Sequence, residues 1–421
     1  MPHDTPLIAT IVIGLSLAFL LGLVAHRLKL PMIAGYLLAG IIIGPFTPGY
    51  VADQELATEL AELGVILLMF GVGLHFSLKD LLSVKNIAIP GAIGQILVAT
   101  AAGLALALLM GWGIGAGLIF GLSLSVASTV VLLRALQDRN LVTSDRGRIA
   151  VGWLIVEDVV MVLSLVLIPP LAGLLGGTAQ PVTDGAAQEA VRMGFGPVTA
   201  TLAVTLAKFA AFVALMLIVG RKLIPWILHY VAHTGSRELF RLAVLAIALG
   251  VAYGSSQIFG VSFALGAFFA GMVMAGSTLS QQAMRETMPL RDAFAVLFFV
   301  SVGMLFNPMI VLTEPLALIG TVLIILVVKS IAAYGIVRAF GHDKETGLTI
   351  ATSLAQIGEF SFILVVMGTK MAILPTEAKD LVVAGAMISI LANPVMFAIL
   401  DRWSARHRKA DPEPEPVVEA A

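Results

Sequence analysis

The sequence predicts an all-α polytopic membrane protein of thirteen transmembrane helices, arranged as two inverted six-helix repeats joined by a linker helix. Three observations carry that prediction. Of 421 residues, 59% are hydrophobic and only 12% charged, and mean hydropathy is +1.01. Apolar stretches run for about 20 residues, enough to cross hydrocarbon as a helix that satisfies its own backbone, whereas a barrel would alternate over segments of about ten. Lys and Arg, finally, recur in every second loop. The same composition excludes a water-soluble protein. The balance of 25 Lys+Arg against 26 Asp+Glu leaves no basic excess for nucleic acid, and the absence of Cys removes disulfides, thiolate catalysis and Cys-based metal sites. No enzymatic activity and no cofactor are expected.

The spans fall near 7–25, 31–45, 56–75, 87–109, 114–134, 148–169, 198–220, 240–256, 261–276, 292–307, 316–338, 346–369 and 380–400. Two apolar runs, Asn86 to Leu133 and Leu242 to Met284, are each too long for one helix. Turn signals at Gly111-Trp112-Gly113 and between Ser255 and Gly260 divide them into hairpins. The loops after spans 1, 3, 5, 7, 9 and 11, with the C-terminal tail, hold 20 of the 25 basic residues. Because cytoplasmic loops carry the Lys/Arg excess, the N-terminus is expected outside and the C-terminus in the cytoplasm. Met1 to Pro6 offers no basic n-region of a cleavable signal peptide. Residues 170–197 form the longest external loop, and 410–421 read as a disordered, acidic, Pro-rich tail. Residues 1–409 are thus expected to form one transmembrane domain.

An internal repeat emerges at an offset of about 230. Gly71-Val72-Gly73-Leu74-His75-Phe76-Ser77-Leu78 resembles Ser301-Val302-Gly303-Met304-Leu305-Phe306-Asn307-Pro308. Gly117, Leu118, Ser123 and Leu124 match Gly347, Leu348, Ser353 and Leu354, and Gly35, Ala39 and Gly40 match Gly266, Ala270 and Gly271. Repeat one (1–169) therefore maps onto repeat two (240–400), with 198–220 as the linker. The two units enter the membrane from opposite sides, the symmetry that underlies alternating access in secondary transporters.

Charges at membrane depth cost at least about 2.5–3.5 kcal/mol each, so the few present carry functional information. Glu157 and Asp158 lie about 15 Å into span 6 at 1.5 Å per residue, near the midplane. Adjacent helical positions project about 100° apart, so one carboxylate can face a cation pathway while the other meets another helix. A structural ion pair is the plainer account, but it needs two nearby bases. Lys329 lies mid-span in span 11 and needs a carboxylate partner, Glu157 or Glu359, to tune the site or form a structural ion pair. Lys208, on the linker, is better explained by snorkelling or helix contact. Span 12 carries the polar, Gly-interrupted stretch Thr352 to Phe362, including Gln356 and Gly358; its mate in span 5 runs from Leu122 to Val130. Paired interruptions of this kind mark discontinuous crossing helices around an ion site. Close packing of small residues accounts for Ser123 and Ser353 equally well, whereas Ser128 and Thr129 are oxygen-ligand candidates for a hard monovalent cation.

These residues carry a resemblance. Gly35-Tyr36-Leu37-Leu38-Ala39-Gly40 to Gly44-Pro45, Val156-Glu157-Asp158, Arg291-Asp292-Ala293-Phe294 with Phe298 to Met304, and Gln356 to Phe362 occur in order on the expected spans. The chain resembles the membrane domain of Kef-type monovalent cation:proton antiporters, in the sodium/proton exchanger superfamily, to about residue 405. The resemblance implies a homodimer in a bacterial inner membrane, each subunit having a scaffold (spans 1–3 and 8–10) and a mobile core (spans 4–6 and 11–13). It implies that spans 5 and 12 are unwound, crossing beside the span 6 acid, and that the core moves like an elevator. Asp158 matches the family's ion-binding Asp. Many Kef-type members have Gln where Glu157 stands, so this chain departs toward the two-acid pattern. No Gly-x-Gly-x-x-Gly stretch of a nucleotide-binding regulatory domain follows Arg408.

The expected function is exchange of K⁺ or Na⁺ for protons across a lipid bilayer at Asp158, which would hold either ion, with Glu157, Ser128 and Thr129 completing the cation/proton-binding set and Glu157 and Lys329 tuning the Asp158 carboxyl. An ion channel on the same scaffold is the alternative. An intramembrane aspartyl protease would need Asp on two helices, and an organic-anion transporter basic rather than acidic residues at the midplane.

Overall fold

The computed structural model describes residues 6–28, 30–75, 78–142, 144–178, 185–194 and 196–410. The acidic tail beyond 410, residues 1–5, residues 179–184 of the loop expected outside, and Phe76 and Ser77 of the expected repeat motif lie outside the described residues.

The described chain folds into α1 (Pro6–Arg27), α2 (Met32–Ile42), α3 (Gln54–His75), α4 (Leu78–Leu109), α5 (Ile114–Ser125), α6 (Thr129–Gln137), α7 (Asp145–Leu171), α8 (Gly185–Arg192), α9 (Pro197–Leu215), α10 (Arg221–Ala232), α11 (Arg237–Phe259), α12 (Phe263–Ala275), α13 (Ser280–Met304), α14 (Ile310–Thr313), α15 (Pro315–Leu323), α16 (Lys329–Ala339), α17 (Lys344–Ser353), α18 (Glu359–Lys370) and α19 (Thr376–Ala410). No strand occurs among the described residues. Two π-helical segments, Met216–Gly220 and Ile324–Val328, join α9 to α10 and α15 to α16.

Nine helical stretches among the described residues are long and apolar enough to cross a membrane, and four further apolar helices are shorter. The long ones fall on expected spans 1, 3, 4, 6, 7, 8, 10, 11 and 13, and the short ones on 2, 5, 9 and 12. Helix ends depart from the hydropathy limits. α13 begins at Ser280 rather than near 292, because Arg285, Glu286, Arg291 and Asp292 end an apolar run without ending a helix. The linker continues through its π segment to Ala232 instead of stopping at 220, and the long loop 170–197 contains the short helix α8.

Local chemistry sets the helix starts. Ser144, Ser236, Ser262 and Asp343 each accept an N–H from the first turn of α7, α11, α12 and α17, satisfying a donor that the helix cannot. Gly260 stops α11 in the left-handed region at φ 66°.

The helices sort into two packed groups. α1, α2, α3, α11, α12 and α13 pack on one another, as do α4, α5, α7 and α15 to α19. Between the groups, α2 meets α19, and Phe298 of α13 meets Phe362 of α18 with ring centroids 6.3 Å apart. Two glycine crossings bring backbones together inside the first group. A Cβ on Gly40 would lie 2.8 Å from Gly303 Cα, between α2 and α13, and one on Gly271 3.0 Å from Gly73 Cα, between α12 and α3.

Polar ties at the helix ends join segments that the charge alternation assigns to one side. Arg139 pairs with Asp401 at 3.0 Å and Arg146 with Glu345 at 2.8 Å, and Arg241 pairs with Glu286. Thr178 N–H donates to Met371 O at 2.8 Å at the opposite end.

Candidate functional site where two broken helices cross

The breaks expected in spans 5 and 12 fall at Val126–Ser128, between α5 and α6, and at Leu354–Gly358, between α17 and α18. They touch. Ser128 N–H donates to Gln356 Oε1 at 2.7 Å, while Gln356 Nε2 donates back to Ser128 O at 3.2 Å and to Ser353 O at 3.3 Å. One buried amide thereby satisfies backbone groups of both breaks. Gly358 permits the approach, since a Cβ there would lie 2.6 Å from Ser128 Cα.

α7 passes beside this crossing and presents both acids. Glu157 is fully buried; its Oε1 accepts from Gln95 Nε2 at 2.7 Å and its Oε2 from Ala127 N–H at 2.9 Å. Asp158 is 2% exposed, and its Oδ2 accepts the Thr129 hydroxyl at 3.3 Å. The two neighbours thus divide their roles. Glu157 is bound to the break preceding α6, whereas Asp158 lies against the hydroxyl that opens α6. Ser128 caps α6, its Oγ accepting Val131 N–H at 3.4 Å.

Lys329, fully buried at the start of α16, donates to Gln356 O at 2.9 Å. The ammonium is held by a carbonyl that the break in span 12 leaves without a helical donor. Glu157 and Lys329 remain each other's opposite charge in this region. Glu359 opens α18; its side chain lies outside the described residues, so its expected pairing is not placed. Lys208 is half-buried on α9, away from the crossing helices in sequence and element.

The electrostatics follow from the breaks. C-terminal ends of α5 and α17 carry partial negative charge and N-terminal ends of α6 and α18 partial positive charge. Glu157 meets an N–H at the start of α6, and Lys329 a carbonyl beyond the end of α17. Both charges therefore complement the helix ends they touch. Such a crossing supplies buried carboxylate, hydroxyl and carbonyl oxygens, the donor set of a hard monovalent cation.

Two residues escape a search that counts charges. Gln95 of α4 is fully buried and bonds both Glu157 and, at 3.4 Å, Ser125 O. Asn393 of α19, 2% exposed, donates to Thr352 O at 2.8 Å and holds the last turn of α17. The available signal is an isolated amide in an otherwise apolar helix, since a buried amide must find partners.

Known proteins share this sequence and fold. The family described as sodium/hydrogen exchanger, transmembrane, matches residues 15–403. The putative cation/proton antiporter YbaL of Escherichia coli (strain K12) is 59% identical over 406 residues, covering 96% of this chain and 70% of that protein. K(+) efflux antiporter 4 of Arabidopsis thaliana is 32% identical over 399 residues, covering 94% of this chain and 64% of that one. The sodium proton antiporter MjNhaP1 from Methanocaldococcus jannaschii has the same fold, with a TM-score of 0.69 at 16% identity over 94% of this chain and 98% of that one. The family match over nearly the whole chain, with its apolar helices, makes this a multi-pass integral membrane protein belonging to the sodium/hydrogen exchanger family.

Proposed function

We propose that this chain is a cation/proton antiporter in which Asp158 alternately holds a proton and a monovalent cation, K⁺ or Na⁺. The observation that carries the reading is Asp158's place at the crossing of two broken helices, beside the Thr129 hydroxyl. Exchange needs a carboxylate that gives up its proton when a cation arrives, and burial among oxygen donors makes the two ions competitors for one spot. Glu157, Gln95, Gln356 and Lys329 hold the crossing in shape, with Gly358 allowing its approach and Ser128 and Thr129 bordering the cation position. Glu359 belongs to this reading as the first residue of α18. The names of relatives, a putative cation/proton antiporter and a K(+) efflux antiporter, support antiport over a conductive channel.

The elevator mechanism is part of the same proposal: α4 to α7 and α15 to α19 move as a core against α1 to α3 and α11 to α13. It is supported by the sorting of helices into these two packed groups. The thirteen-span inverted repeat gains support from the glycine crossings, because Gly40 and Gly303 correspond, at the offset of about 230, to Gly271 and Gly73. The shorter helices fall at corresponding places in both halves, spans 2 and 9 and spans 5 and 12. The reading includes a homodimer in a bacterial inner membrane, N-terminus outside and C-terminus cytoplasmic, following the Lys/Arg alternation.

The test is Asp158→Asn reconstituted in proteoliposomes. Cation-driven proton movement should vanish while the protein remains folded and monodisperse; full exchange by the variant would remove Asp158 from the mechanism.

A further inference from the structure

Asp380 is a buried carboxylate that the exchange site does not use. It lies on the first turns of α19 and is 8% exposed. Its Oδ1 accepts the N–H of Asn307, just beyond α13, at 3.2 Å. α19 belongs to the group containing the crossing and α13 to the other. The remaining polar ties at the helix ends stay inside one group: Arg139 to Asp401, Arg146 to Glu345 and Thr178 to Met371 within the crossing group, and Arg241 to Glu286 within the other. The Asn307–Asp380 bond joins α19 to the segment that leads out of α13.

We propose that Asp380 is a positioning residue for exchange, a latch whose carboxylate ties the moving core to the scaffold at the outward rim and biases the protein toward the arrangement seen here. The proposal rests on the two-body reading above.

The donor side explains why the tie is specific. Asn307 lies past the last turn of α13, so its N–H points away from the helix ladder and needs an acceptor from elsewhere. The Asn307 side chain is engaged locally, its Oδ1 accepting Met309 N–H at 3.0 Å, which fixes the turn that presents the donor. A carboxylate acceptor makes the bond charge-assisted. A core displacement of even a few ångströms breaks it, because a hydrogen bond is lost beyond about 3.5 Å. Breaking it strands a part-buried N–H and a buried carboxylate together until water or new partners reach them. The tie thus adds to one end state and not to the other, which is what biasing an equilibrium requires.

The natural chain contains no Cys, so a reporter pair can be placed without background. Phe46 and Glu377 are both exposed, one just beyond α2 in the scaffold group and one at the start of α19. Phe46→Cys with Glu377→Cys, spin-labelled in lipid nanodiscs, reads the separation of the two groups. With Asp380 intact, varying cation and pH should give two distances, the shorter dominating. Asp380→Leu should move the population toward the longer distance by about fivefold, the scale of one net hydrogen bond. Asp380→Asn keeps an acceptor oxygen but loses the charge, and should move it the same way by about twofold; this variant decides the matter if Asp380→Leu does not assemble. Two distances whose ratio neither variant changes would overturn the latch and leave the two-body reading standing. A single distance under every condition, with Asp380 intact, would overturn both.

Discussion

At the scale of single residues, the site is held by neutral amides as much as by charges. Gln356 bonds Ser128 N–H, Ser128 O and Ser353 O, so Gln356→Leu should strand buried backbone groups and cost about 2–3 kcal/mol, read as a lower thermal midpoint, together with loss of exchange. A variant that transports normally would show that the crossing does not depend on this amide. A second prediction concerns Asp343, exposed at the start of α17. Slight burial pushes its carboxyl up, but the hydrogen bonds from Thr346, side chain and backbone, outweigh this and hold it below the ordinary 3.8. A carboxyl lowered on folding stabilises above its unfolded value and loses that contribution as pH falls through its folded one. Asp343→Ala should therefore cost about 0.5 kcal/mol at neutral pH, and the difference from the parent should disappear on acidification below 3.8, as followed by unfolding at a series of pH values. The acids were legible in sequence because charge is rare in apolar helices. Gln95 and Asn393 were not, because an uncharged amide differs little in hydropathy windows from a surface polar residue, and its partners lie on other helices. Lys329 was legible as a buried charge, while its acceptor, a carbonyl released by a break in another span, has no signature of its own.

At the scale of elements, the two broken helices build the candidate site. Polar residues and glycine within spans 5 and 12 mark them in the sequence, since a helix interior seldom tolerates both. Helix limits were less legible. Hydropathy reports where a chain leaves the membrane, but helical hydrogen bonding continues past that point, as α13 and α4 do at Ser280 and Leu78. The π segments, Met216–Gly220 and Ile324–Val328, consist of residues that suit an α-helix equally well, so nothing in composition marks them. The second immediately precedes Lys329, which places an irregular turn next to a site residue, a common position for such bulges. Gly358→Ala tests the crossing directly. Its Cβ would meet Ser128 backbone, which cannot rotate away as a side chain can, so the breaks must part. We expect a stability cost of about 1–3 kcal/mol and exchange slowed about tenfold or more by displaced oxygen ligands. Unchanged exchange at unchanged stability would contradict the close approach.

At the scale of the whole molecule, the account is of two bodies and one shared site. Phe298 and Phe362 meet across the seam, and the absence of Cys in the chain makes a lock practical: Phe298→Cys with Phe362→Cys, bridged by a short bis-methanethiosulfonate cross-linker, should arrest exchange, and reduction should restore it. Continued exchange by the cross-linked protein would argue against relative motion of the two groups. The central claim is narrower, that one carboxylate serves both ions. Its most direct measurement is the rate of exchange in proteoliposomes against cation concentration at several pH values, with membrane potential clamped. A shared site predicts competition: as pH falls, KM for the cation rises while the rate at saturating cation holds. A saturating rate that falls with pH at constant KM would place proton and cation at separate sites and contradict the account.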